Sequence, residues 1–378
     1  MIKRLLDQAI LEELEKGFVV GLFGARRTGK TFLMKYLMDQ LEGVLFIQGD
    51  NLDVAEILAQ PRLSVLKPFV KGYQYLFIDE AQEIQGIGKS LKLLNDSIPE
   101  LKIFITGSSA LDLRNFIGEP LVGRSKFFNL YPIAQAEIEE TFLEAKNKLR
   151  HQLIFGSYPQ VINAATAEDK SSILSSLRNG YLLKDLLMLD RQKDPVFVHS
   201  LLRLLAYQIG NDISYSELAS NLKVSHHTIQ RYLNLLEQTY VIFSMPGFSR
   251  NLRKEYSKTP RYFFWDNGIR NAIINNFSDL NTREDQGKLW ENYCLSERLK
   301  INHYQGRDVS SFFWRTYDQQ EIDLIEDSMG TLSAFEFKWG TKKIREPKAF
   351  SKSYPQASFE MINPDTYYPF ICPEFTKS

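Results

Sequence analysis

The residues best placed to do chemistry in this chain of 378 residues form one octet, Gly24-Ala-Arg-Arg-Thr28-Gly29-Lys30-Thr31. It has the form G-x-x-x-x-G-K-[ST]. Such a loop holds nucleotide phosphates because its backbone N–H groups point inward. The lysine reaches the β- and γ-phosphates and the following hydroxyl ligates Mg2+. Gly24, Thr28, Gly29, Lys30 and Thr31 are therefore the expected binding residues. A second set is Asp79-Glu80, two carboxylates at the end of an apolar run. There Asp79 would hold Mg2+ opposite Thr31, and Glu80 would polarise a water for attack on the γ-phosphate. The stretch Thr106-Gly-Ser108-Ser109 offers hydroxyls to that water or phosphate. Its alternative reading is a turn that caps a helix starting at Leu111. Arg124 could complement γ-phosphate charge, which makes Lys30, Glu80, Ser108 and Arg124 the expected catalytic set.

Two further groups lie downstream. His226, His227, Gln230 and Arg231 occupy outward positions of an amphipathic helix that follows a short helix and a tight turn around Ser225. That arrangement can present side chains to a DNA major groove, and the basic stretch from Arg250 to Arg261 suits phosphates. The adjacent histidines face different directions on a helix and do not suit a shared metal. Near the C-terminus, Asp323 and the Glu336-x-Lys338 pair fall on neighbouring strands, with Glu291 on the helix before them. Two carboxylates that hold Mg2+ or Mn2+, with a lysine to orient or activate water, are what a metal-dependent phosphodiesterase needs. An alternating strand with polar residues toward solvent gives the same local pattern.

The elements that must position these residues follow from the apolar runs. Strands are expected at 18–23, 43–48, 75–80, 101–106 and 126–130, with helices between them, including Leu52 to Leu66. This alternation predicts an α/β class with a parallel, doubly wound sheet, the ligand lying at the C-terminal strand edge. Helices are expected over Ile133–Arg150, Ser171–Leu189 and Pro195–Tyr207, then a helix-turn-helix. The last stretch reads as a strand and turn at 262–268, a helix from Gly287, a hairpin of 312–315 with 321–325, and a strand at 332–338. The expected organisation is a phosphate-loop ATPase core at 1–135, a helical lid at 136–205, a winged helix-turn-helix at 206–260 and a nuclease-like domain at 261–378.

Composition narrows the class. Lys and Arg number 46, as do Asp and Glu, so the whole chain carries no charge signal for nucleic acid or membrane. Two cysteines, Cys294 and Cys372, lack metal-ligand spacing and suggest a reducing cytoplasm. The start, Met1-Ile-Lys-Arg-Leu-Leu-Asp-Gln, is interrupted by charges and does not read as a leader. No run of about 18 apolar residues occurs, which argues against a bilayer span.

Taken together, the octet, Asp79-Glu80-Ala-Gln82, Thr106-Gly-Ser-Ser109, Gly123-Arg124, Gly156-Ser-Tyr-Pro159, the helix-turn-helix, Trp290-Glu-Asn292 and Glu321-x-Asp323 with Glu336-x-Lys338 resemble a prokaryotic AAA-type ATPase family. Its members carry a C-terminal domain of unknown function, and the resemblance covers nearly the whole chain. It implies an ATPase joined to a restriction-endonuclease-like, PD-(D/E)xK-type domain. A second sensor arginine is missing from the helical segment, so ring assembly of the usual AAA kind does not follow. The expected function is ATP binding and hydrolysis that controls a DNA-facing, nucleolytic C-terminal half. A nucleotide-dependent switch that binds DNA or protein without cutting is the alternative. A helicase is disfavoured because only one nucleotide-binding core is present. No N/T-K-x-D motif reads a guanine base, which favours ATP over GTP.

Overall fold

The computed structural model of the protein describes residues 2–108, 121–138, 140–182, 195–249, 259–316, 318–340 and 344–373. Ser109, the helix expected from Leu111, the end of the helix expected to reach Leu189, and the basic stretch 250–258 lie outside these residues. The chain divides into two units, 1–131 with 238–240, and 132–237 with 241–378.

In the first unit five apolar runs become strands: β1 (Val19–Phe23), β2 (Val44–Gln48), β3 (Tyr75–Asp79), β4 (Lys102–Gly107) and β5 (Ser125–Asn129). They pair in parallel in the order β2-β3-β4-β1-β5. All five residues of β1 are buried, as befits a central strand covered on both faces. Phe77 and Phe104 pack edge to face at 5.1 Å, and each such buried ring contributes roughly 1.5–3 kcal/mol. Around the sheet lie α1 (Asp7–Glu15), α2 (Lys30–Met38), α3 (Leu52–Leu58), α4 (Leu63–Phe69) and α5 (Ile87–Ser97). The single helix expected over Leu52–Leu66 is thus two. Pro61 cannot supply the N–H that a continuous helix needs, and Arg62 takes extended backbone before α4 begins.

The second unit opens with helices. The one expected from Ile133 starts only at α6 (Phe142–Phe155), where Thr141 and Glu144 form a capping box. Then come α7 (Pro159–Asn163), α8 (Ala167–Leu177) and α9 (Pro195–Tyr207). α10 (Tyr215–Leu222) and α11 (His226–Gln238) flank a tight turn in which Lys223 is left-handed, and Ser225 Oγ accepts the Thr228 N–H at 3.1 Å. α11 buries Ile229, Tyr232, Leu233, Leu235 and Leu236. Two short strands follow, β6 (Ile242–Met245) and β7 (Arg261–Phe264), paired antiparallel.

Beyond β7 the expected turn becomes α12 (Asn267–Ile274), capped by Asp266, whose Oδ1 accepts the Ile269 N–H at 3.0 Å. Next is α13 (Gln286–Tyr304), a helix buried on most sides. The last sheet comprises β8 (Ser310–Arg315), β9 (Glu321–Ser328), β10 (Thr331–Phe337) and β11 (Ser358–Ile362), in the order β11-β10-β9-β8. β8, β9 and β10 are antiparallel, whereas β10 and β11 are parallel and joined across α14 (Lys348–Ser353). Phe248, Trp314, Ile322, Ile325, Leu332, Ala334 and Phe350 form its core. Among the described residues no helix is long and apolar enough to cross a membrane.

Candidate functional site

The octet runs from the end of β1 into the first turn of α2. Gly24 permits the approach: a Cβ there would press into the Leu130 carbonyl. Gly29, at φ +104°, caps α2 in a left-handed conformation that a side chain would strain. Lys30 is buried, and its ammonium donates to the carbonyls of Gly24 at 2.8 Å and Ala25 at 3.0 Å. Thr28 is wholly buried, with its hydroxyl spent on the Ala25 carbonyl, so it can offer phosphate only its backbone N–H. Arg4, which the sequence did not single out, braces the loop. Its guanidinium donates to the carbonyls of Thr28 and Tyr131, both at 2.8 Å.

The Thr31 hydroxyl donates to Asp79 Oδ2 at 2.8 Å. Thr106 donates to the other oxygen, Asp79 Oδ1, while its own Oγ1 accepts the Glu80 N–H at 3.1 Å. Thr31 and Asp79, from separate elements, thus meet as two oxygen donors of the kind that suits a hard cation. Glu80 stands next to them in a left-handed conformation, φ +51°, and its carboxylate accepts from Gln82 Nε2 at 2.5 Å. Ser108 is buried at the end of β4, 3.4 Å from the same amide nitrogen. One turn along α2 is a cavity of about 200 Å3 lined by Ile2, Lys3, Arg4, Asp7, Phe32, Leu33 and Tyr36.

Arg124 does not join this group. It precedes β5, and its carbonyl accepts the Val19 N–H at the start of β1, so it lies at the N-terminal edge of the sheet. The octet follows the C-terminal end of β1, four residues further along a strand that rises about 3.3 Å per residue. Arg124 is paired instead with Asp96, Nε to Oδ1 at 2.6 Å. The expectation that it complements γ-phosphate charge in its own chain is corrected accordingly.

In the second unit, Glu291 on α13, Asp323 on β9 and Glu336 on β10 are all buried. Asp323 Oδ2 accepts the Phe337 N–H at 2.8 Å. Glu336 pairs with Lys338 at 2.9 Å, and Glu291 with Lys288 at 3.0 Å. One oxygen of each glutamate, Glu291 Oε1 and Glu336 Oε2, is buried without a hydrogen-bond partner. Burial, and then the charge of Asp323, pushes both glutamates up to about 7. Asp323 is also raised, by burial first. Burial works against the Lys338 charge, yet its bond to Glu336 and the nearby carboxylates hold its pKa up. Among the described residues no three His, Cys, Asp or Glu side chains already stand at metal-holding distance. The carboxylates share a field rather than a formed coordination shell.

Two residues of this cluster escaped the sequence reading. Lys288 Nζ also donates to the Gly210 carbonyl at 3.3 Å. Gly210, at φ +68°, comes so close that a Cβ would lie 3.2 Å from both Glu291 carboxylate oxygens. The loop after α9 therefore walls one side of the cluster. On α11, His226, His227, Gln230 and Arg231 are exposed, and the His226 ring meets the Tyr215 ring at 5.3 Å.

Comparison with known proteins matches residues 16–139 to an AAA domain, 146–280 to a domain of unknown function (DUF8612) and 286–368 to another (DUF4143). An uncharacterised protein of Mycobacterium tuberculosis is 26% identical over 329 residues, 86% of this chain and 71% of that protein. One from Haemophilus influenzae is 28% identical over 295 residues, 71% of this chain and 72% of that protein. Among solved structures, a Walker-type ATPase of Pyrococcus abyssi aligns with a TM-score of 0.49 and 17% identity, covering 72% of this chain and 96% of that one. The AAA match supports a phosphate-loop ATPase fold and nucleotide binding in the first unit.

Proposed function

We propose that the first unit binds Mg·ATP and hydrolyses it. The observation that carries this reading is the meeting of Thr31 and Asp79 at 2.8 Å beside a loop that already gathers the Lys30 ammonium. Thr31 and Asp79 would hold Mg2+, which when bound neutralises charge on the β- and γ-phosphates. Lys30 and the loop N–H groups bind the phosphates. The cavity beside Phe32 and Tyr36 is roomy and aromatic enough for the base. Glu80 takes a proton from water as the water oxygen bonds the γ-phosphorus, and ADP leaves with the electrons of the broken P–O bond. The test is ATP turnover in Lys30→Ala and Glu80→Gln. Lys30→Ala loses binding, whereas Glu80→Gln keeps ATP and loses a factor of roughly 10²–10⁴ in kcat. Full turnover in both ends this reading.

For the second unit, the partnerless buried oxygens of Glu291 and Glu336 favour a cation, because an unpaired buried carboxylate oxygen is costly. We infer a divalent-metal site, Mg2+ or Mn2+, with Glu291, Asp323 and Glu336 as ligands and Lys338 beside the water: a PD-(D/E)xK-type phosphodiesterase. In the same reading the segment 206–260, with α10 and α11, forms a winged helix-turn-helix that meets DNA through His226, His227, Gln230 and Arg231. The segment 136–205 serves as a helical lid, and the protein works in the cytoplasm. Cleavage of plasmid or oligonucleotide with Mg2+ or Mn2+ that is lost in Asp323→Ala and Lys338→Ala supports a nuclease. No cleavage under any metal or nucleotide leaves the ATP-dependent binding switch.

A further inference from the structure

Gln82 occupies the short 3-10 turn Ala81–Glu83 that follows β3. Its amide nitrogen donates to Glu80 Oε2 at 2.5 Å and lies 3.4 Å from Ser108 Oγ. A single amide therefore spans the ends of β3 and β4. Chemistry fixes its orientation: turned over, its carbonyl would face a carboxylate and could donate nothing. The carbonyl half, Gln82 Oε1, is buried and has no hydrogen-bond partner, which stability alone does not favour.

The backbone bears on the same carboxylate. Glu80 sits at φ +51°, a region that costs a non-glycine residue energy and that persists where the surroundings hold it. Here Thr106 holds it, by accepting the Glu80 N–H. Glu80 is thus fixed at its backbone by β4 and at its carboxylate by Gln82, and the same amide reaches the Ser108 strand end. A turn that needed only to cap β3 would require neither restraint.

We propose that Gln82 is a positioning residue for hydrolysis. Its amide holds the Glu80 carboxylate toward the end of β4 and so sets the general base relative to Ser108. This rests on the reading of the first unit as an ATP-hydrolysing site. Gln82 touches no substrate in this role; it acts through Glu80. Its removal frees the carboxylate to rotate, and a general base displaced by about 1 Å can lose on the order of 10²-fold in rate.

The experiment measures single-turnover ATP hydrolysis and equilibrium ATP binding on the full chain, for wild type, Gln82→Leu, Gln82→Glu, Glu80→Gln and the Gln82→Leu/Glu80→Gln pair. Gln82→Leu lowers the hydrolysis rate by roughly 10- to 100-fold and leaves the ATP Kd within about twofold of wild type, which also reports an intact fold. Gln82→Glu, which sets a second carboxylate against the first, lowers the rate at least as far. In the Glu80→Gln background Gln82→Leu adds no further loss, because the amide has no carboxylate to position. A wild-type rate in Gln82→Leu overturns the proposal, as does a loss that multiplies with that of Glu80→Gln. A wild-type rate in Glu80→Gln removes the reading of Glu80 as the general base, by a different signal.

Discussion

Asp79 and Asp323 are both buried acids on a sheet, and their surroundings could hardly differ more. Each oxygen of Asp79 accepts from a neutral hydroxyl, Thr31 on one side and Thr106 on the other. Those donors satisfy the carboxylate without adding charge, and its oxygens are of the kind that suits a hard cation. Asp323 shares its interior with Glu291 and Glu336, and its charge raises the cost of charge on both glutamates. Lysines 288 and 338 offset part of that cost from the rim. One carboxylate is held by neutral donors, whereas burial weighs against charge throughout the other cluster. In our reading, the first belongs to a cycle of binding and release, and the second is silent until metal and substrate meet.

The comparison can be broken at several points. The largest effect is expected from Lys30→Ala. Loss of the Lys30 ammonium from the loop should remove measurable ATP binding, on the order of 10³-fold in Kd, while leaving the second unit's response to metal untouched. Calorimetric titration of ATP, and then of Mn2+, reads both halves. If Lys30→Ala also removed the Mn2+ response, the two sites would not be separate.

Next is Asp323→Ala. Without nucleotide, Mn2+ at about 100 times its Kd should stabilise wild type by roughly 2.7 kcal/mol. The variant should show no such shift in its thermal midpoint. A metal-insensitive wild type would leave the carboxylate cluster as a structural feature.

Thr106→Val sharpens the contrast at smaller scale. It keeps the shape and deletes the hydroxyl that serves both Asp79 and Glu80. A roughly tenfold fall in kcat, about 1.4 kcal/mol, is expected, together with a higher Mg2+ requirement. An unchanged Mg2+ dependence would mean that Asp79 keeps its place without the hydroxyl.

The smallest effect separates a structural acid from the functional ones. Burial tends to raise the pKa of Asp285, yet bonds to Arg283 and Arg270 hold it down to about 2. A depressed acid contributes stability above its unfolded value, and that stability is lost as pH falls through the folded value. Asp285→Asn should therefore cost about 1 kcal/mol near neutrality, after discount for its half-exposed position. The difference from wild type should fade between pH 4 and pH 2 in denaturant melts. The raised glutamates have the opposite sign: without metal, the stability they contribute is present below the ordinary value of 4.5 and is lost as pH rises to about 7.

How much of this was legible in the residues depended on the span of each interaction. The octet, its flanking strand and its helix are contiguous, and the apolar run before Asp79 announced the acid at a strand end. Thr106 was noticed as a polar strand end, but its double duty needs β3 beside β4, which only pairing reveals. Arg4 gave no local signal because its partners are the carbonyls of Thr28 and Tyr131. Arg124 could have been placed correctly. A residue that precedes a parallel strand lies at the edge opposite a loop that follows one. In the second cluster the E-x-K spacing was visible, whereas Gly210 approaches from the loop after α9 and Lys288 joins two elements at once. Pro61 was a plain break signal that the apolar pattern of Leu52–Leu66 concealed.

The placement of β1 carries a consequence for how this protein comes into being. β1 is the earliest strand in the chain, yet its partners are β4 and β5: Val20 lies opposite Phe104, and Val19 opposite Ser125. The brace from Arg4 closes on Tyr131, 127 residues away. Pairings of such long range form slowly, since the chain must close a large loop before any contact stabilises it. During synthesis the complete octet therefore emerges long before the surfaces that shape it. A nascent chain that stops short of β5 carries the phosphate-loop sequence without a place to hold phosphate, which delays nucleotide capture until the whole sheet exists.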